Sequence, residues 1–116
     1  MHPEQFVDVI KKVVSESAVE GVLAELHSPP GRRPNADLMA MSAFWHTASG
    51  EQKEMIAQII RLAVDDATFG FLSVLDGVRA IEDSEQKGEL SLVWRKDGET
   101  VVLNQDGDLH DYYNAV

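Results

Sequence analysis

The sequence predicts an α+β fold: four N-terminal helices, the fourth long and central, then a small antiparallel β-sheet or hairpin and a short C-terminal helix. Three observations carry that expectation. Apolar residues recur at helical spacing from Phe6 to Ala67. The period then drops to two over Glu89–Arg95. Asp97–Gly98 follows, the dipeptide that favours a type I′ hairpin turn. A length of 116 residues predicts one domain over 1–116. Hydrophobic residues make up 44% of the chain, which excludes wholesale disorder.

Taken in order, Pro3 suits a first helical position, where its missing N–H costs nothing. Phe6, Val9, Ile10, Val13 and Val14 supply the stripe of the first helix. Ser17 with Glu20 reads as a capping box that restarts the chain as a second helix. Its stripe is Val19, Val22, Leu23 and Leu26, and Pro29–Pro30–Gly31 ends it. Asn35 caps the third helix, with Leu38, Met41, Phe44, Trp45 and Ala48 as its apolar set. Ser49 with Gln52 is a second capping box, opening a helix from about Gly50 to about Val74. The apolar set of that helix covers more than half of its wheel, which predicts burial from several sides. Gly70 bends it or admits a close neighbour, and Gly77 is its C′ residue. A weak strand is expected at Val78–Glu82. The hairpin turn then pairs Trp94 with Val101 and Leu92 with Leu103 on one face, leaving Val93 and Val102 on the other. Asp106–Gly107 turns the chain, and Asp108 caps a closing helix, Leu109–Asn114.

Ten Lys and Arg stand against twenty Asp and Glu, a net charge of −10. Residues 76–116 hold four basic and ten acidic groups, so more than half of the net charge lies in the last third. Such a chain repels phosphate backbones and anionic membranes, and no basic patch offsets this. Neither nucleic acid nor membrane is expected as a partner. A basic protein is. The chain has no cysteine, which excludes disulfides, thiolate zinc sites and a cysteine nucleophile. There is no basic n-region and no apolar run of membrane-spanning length, so the expectation is a soluble cytoplasmic protein.

Asp66 stands out among the residues that could carry chemistry. On the wheel it falls among Met55, Ile59 and Leu62, away from the polar sector of Glu51, Glu54, Gln58, Arg61 and Asp65. A carboxylate in a buried stripe needs pairing, hydrogen bonding or protonation. Asp66 therefore reads as an acid, base or ligand contact in a pocket, or as a structural acid tying the helix to a neighbour. His46 and His110 are its conceivable co-actors. No two histidines stand at i and i+4, so no metal or other cofactor is expected. Asn104–Asp108 fails as a calcium loop, because its glycine comes too early and no glutamate closes it. Arg32–Arg33 reads as a solvated pair. The chain has neither a nucleophile elbow nor a phosphate loop, so no catalytic residue is assigned. Trp94, Tyr112 and Tyr113, beside Asp108 and Asp111, offer aromatic anchors with an acidic rim for a partner.

The format is small, acidic, α+β and without catalytic motifs. It is similar to that of many bacterial proteins that neutralise a toxin or serve as adaptors. The expected function is accordingly a non-enzymatic interaction module, an immunity-type inhibitor or adaptor binding a basic partner. The alternative is a small-ligand-binding or hydrolytic protein with a pocket around Asp66. A third reading is a homodimer formed through a sheet edge or the Val93–Val102 face.

Overall fold

A computed structural model describes residues 1–115. The helices are α1 (Pro3–Ile10), α2 (Ser17–His27), α3 (Ala36–Thr47), α4 (Gly50–Leu75) and α5 (Leu109–Asn114), with a π-helical segment, Lys11–Glu16, between α1 and α2. A two-stranded antiparallel sheet, β1 (Val93–Lys96) and β2 (Glu99–Val102), precedes α5. This is the α+β layout that the sequence predicts.

The expected break at Ser17 does not occur. Lys11 and Glu16 both keep right-handed helical angles, and no side chain caps the start of α2. No Gly or Pro interrupts residues 4–20, so nothing stops the helix. The chain passes instead from α1 to α2 through a π-helical segment, Lys11–Glu16. The stripe of α1 is also rotated from expectation. Val7 is its fully buried residue, whereas Val9, Val13 and Val14 are exposed.

The later boundaries follow local chemistry. Asn35 Oδ1 accepts from the Asp37 and Leu38 amides at 2.8 and 3.3 Å, capping α3. At α4 the Ser49 amide donates to Gln52 Oε1 at 2.9 Å, and the Gln52 amide donates back to Ser49 Oγ at 3.1 Å. The other end of α4 is a Schellman motif. The Gly77 amide reaches Val74 O, the Val78 amide reaches Ser73 O, and Gly77 has φ +76°. Asp97 and Gly98 both have positive φ, as a type I′ turn requires. The turn sets Trp94 opposite Val101, and Leu103 donates to Leu92 O at 2.8 Å. Residues 78–82 form no strand. Val78 and Ile81 are exposed within an irregular stretch that continues to β1.

The chain divides into two compact units. The sheet-bearing unit comprises Met1–Val14 and Asp66–Val116, and its core is Val7, Leu72, Leu109 and Tyr113. Phe6, Phe69, Leu75, Leu92 and Tyr112 pack around that core. The helical unit, Ser15–Asp65, holds α2, α3 and the first part of α4. Its only buried hydrophobic side chains are Val19 and Leu26. Ser42 of α3 is buried against α2, where its Oγ donates to Leu26 O at 2.7 Å.

Candidate functional site

Within the helical unit, α2, α3 and α4 enclose a groove of about 510 Å³. It is lined by Val22 and Leu26 of α2, Ala40, Met41, Phe44 and Trp45 of α3, and Ile56 and Ile60 of α4. None of these side chains carries a charge. Lys53 marks one margin, its Nζ 5.6 Å from the centre of the Trp45 ring.

The helix positions explain why the groove is apolar and open. The α3 side that meets α2 carries Ser42, so Met41 and Phe44, one to two residues away on the wheel, are left 55% and 67% exposed. On α4, Ile56 and Ile60 are half-buried, and Met55, Ile59 and Leu62 are 56–62% exposed. The wide stripe that predicts burial from several sides is thus covered on one side only. Fully burying an aliphatic side chain is worth about 1.5–3 kcal/mol, and ordering each residue's backbone costs about 1–2 kcal/mol. Two buried hydrophobic residues are a thin core for the 51 residues of Ser15–Asp65.

Asp66 does not have the buried setting that the wheel predicts. It is exposed, one turn beyond Leu62 on the same open stripe. His46 bonds the end of α2, with Nε2 2.8 Å from His27 O and the two imidazoles 5.6 Å apart. His110 belongs to a different set of contacts. Asp76 Oδ2 accepts from its amide at 2.8 Å and from its Nδ1 at 2.5 Å, and Phe69 meets the ring edge-on. The structure therefore gives the two histidines different partners and does not bring Asp66 to His110.

The predicted anchors separate as well. Tyr113 is 7% exposed and belongs to the core, so it is not available as an exposed anchor. Tyr112 and Trp94 are half-buried, and Tyr112 packs on the same core. Asp111 is open to solvent, whereas Asp108 is partly covered and its side chain caps nothing.

Two polar residues whose sequence neighbours suggest only turns, Asp76 and Asn104, organise the end of α4. Asp76 has a fully buried side chain and supplies from 34 residues away the cap that Asp108 does not. Its Oδ1 is buried without a hydrogen bond. Asn104 accepts from the Leu92 amide at 2.8 Å and donates to Leu75 O and Leu90 O at 2.6 and 2.7 Å. Both residues border a solvent-open cavity of about 800 Å³ formed with the 74–91 stretch. Asp76 stands beside Gly77 and Asn104 beside a turn, so local pattern assigns both to turn chemistry and gives no signal of their long-range bonds. Among the described residues no cluster of three or more metal-ligating side chains occurs. None of the described helices is long and apolar enough to cross a membrane. No protein-family model, curated protein or solved structure matches the chain.

Proposed function

We propose that this chain is a non-enzymatic protein-interaction module whose contact surface is the apolar face of α3 and α4. The observation that carries this reading is the charge-free groove, lined in part by the exposed Met41 and Phe44, together with the exposed Met55, Ile59 and Leu62 of α4. Catalysis needs polar groups converging on a reacting atom, and the groove lining offers none. Affinity from buried apolar anchors needs only what is there.

An adaptor or an immunity-type inhibitor acting in the cytoplasm is the class such a surface fits. The acidic groups retain a role in this reading. Residues 76–116, with a net charge of −6, would steer a basic partner toward the chain without anchoring it. A ligand or hydrolytic site at Asp66 has less support, because that side chain is exposed and lines neither the groove nor the cavity.

The test is a comparison of tagged wild type with Phe44→Glu, each used to capture proteins from lysate of the source cells and read by quantitative mass spectrometry. A partner retained by wild type and lost by the variant supports the reading. Identical captures from two folded proteins would overturn it.

A further inference from the structure

We propose that the occupant of this face is a second copy of the chain, packed through α4 and the adjoining groove. The proposal rests on the apolar face of the interaction reading above and differs from it on the occupant, since a second copy carries the same net charge of −10 and is not the basic protein that the acidic third would steer.

The exposed area matches what a dimer requires. Taking ~200 Å² per residue, the middle of the range for large aromatic side chains, as an upper figure for all six, the exposures of Val22, Met41, Phe44, Met55, Ile59 and Leu62 amount to at most ~670 Å². A standard interface buries ~800 Å² on each partner, of which homodimers make ~65% apolar. The patch therefore supplies the apolar part of such an interface from these side chains alone.

The patch is also shaped to meet itself. Met55, Ile59 and Leu62 follow the four–three spacing with which one helix packs along another. Ile56 and Ile60, on the flank of that ridge, belong to the groove. On a wheel of about 100° per residue, Met55, Ile56, Ile59, Ile60, Leu62 and Ala63 span an arc of ~160°, which Gln52 and Asp66 share, one at each end of the apolar run. A two-fold axis requires one surface to be its own complement, and a ridge beside a groove on the same face meets that condition.

Charge bears on which face two copies would use. The helical unit carries seven acids against four bases, a net −3, and the sheet-bearing unit carries the other −7. Two copies meeting through the helical unit join the less charged of the two surfaces. The hairpin face of Val93 and Val102 lies in the more charged unit, and Val102 is partly covered.

The experiment is sedimentation equilibrium on the full chain across a wide concentration range. Wild type, Ile59→Glu and a control, Glu54→Gln, are compared. The expected mass for wild type at high concentration is twice 12.8 kDa. Glu54→Gln should match it, because Glu54 lies outside the arc. Ile59→Glu should weaken self-association by about 100-fold or more, since each copy would bury an unpaired carboxylate. Hydrogen exchange on wild type at low and high concentration keeps the test independent of how the variant folds. Amides of residues 52–63 should gain protection as dimer forms. A wild type that stays at 12.8 kDa throughout overturns the second copy. So does a dimer that Ile59→Glu leaves intact, or one that protects only the hairpin. If the mass stays monomeric and Phe44→Glu still loses a captured partner, the interaction reading survives with a different occupant. If neither mass nor capture responds, both fail.

Discussion

Asp76 Oδ2 accepts two hydrogen bonds from His110, one from the backbone amide at 2.8 Å and one from ring Nδ1 at 2.5 Å. A carboxylate only accepts, so the ring donates its Nδ1 proton and Nε2 is left toward Asp111 Oδ1 at 3.4 Å. One side chain at the C-terminal end of α4 thus fixes both the start of α5 and the orientation of its imidazole. Asp76→Ala removes both bonds and is expected to destabilise the chain by about 3 kcal/mol. Asp76→Asn keeps an acceptor on His110 and is expected to cost about 1 kcal/mol. Urea unfolding midpoints of the two variants check the order. Equal losses would mean that the volume of the side chain matters and its hydrogen bonds do not.

Asn104 separates hydrogen bonding from shape still more directly. Its amide nitrogen faces two carbonyls, Leu75 O and Leu90 O, and its oxygen faces the Leu92 amide. Asn104→Asp has nearly the same shape but turns an acceptor toward two acceptors in a buried site. The expected loss is about 3 kcal/mol, at least as large as that of Asn104→Ala. Thermal unfolding of the two variants measures it. An Asp variant as stable as wild type would contradict the assigned orientation of the amide.

The features legible in the sequence are those whose physics is local. The Ser49–Gln52 box, the Asn35 cap, Gly77 at C′ and the Asp97–Gly98 turn each need only neighbours within a few residues, and each forms as expected. Ser17–Glu20 carries the same local pattern as Ser49–Gln52 but lies inside an uninterrupted helix, where the amides it would cap belong to the helical ladder. Asp66 fails for a different reason. A wheel shows which residues share a face but not whether anything covers that face, and the face of Met55, Ile59 and Leu62 is open. Asp76 and Asn104 act across 34 and 29 residues, and one sequence carries no sign of such pairs.

Gly77 tests the local side of that account. With φ +76°, it sits where an L side chain is strained, although a Cβ there would meet no atom within 4 Å. Gly77→Ala should therefore destabilise by about 1 kcal/mol through backbone strain alone. Chemical denaturation of the variant measures the cost. A neutral result would show that the Schellman bonds of Val74 and Ser73 tolerate another backbone geometry.

Leu109 and Asp111 separate the folding role of α5 from any role in binding. Leu109 is fully buried, so Leu109→Ala should cost about 3 kcal/mol through lost burial and the cavity left behind. Asp111 has a side chain 73% exposed, and Asp111→Asn should change stability by less than about 0.5 kcal/mol. It also removes one acid from the face that would steer a basic partner, so it should slow association modestly at low salt and have little effect at high salt. Stopped-flow association at two ionic strengths reads this directly. Tyr113 lies with Leu109 in the core, and binding lost in Tyr113→Ala must be set against lost folding before it is ascribed to an anchor. A salt-independent association rate, unchanged by Asp111→Asn, would remove the acidic third from the binding step and leave the apolar face of α3 and α4 to account for recognition alone.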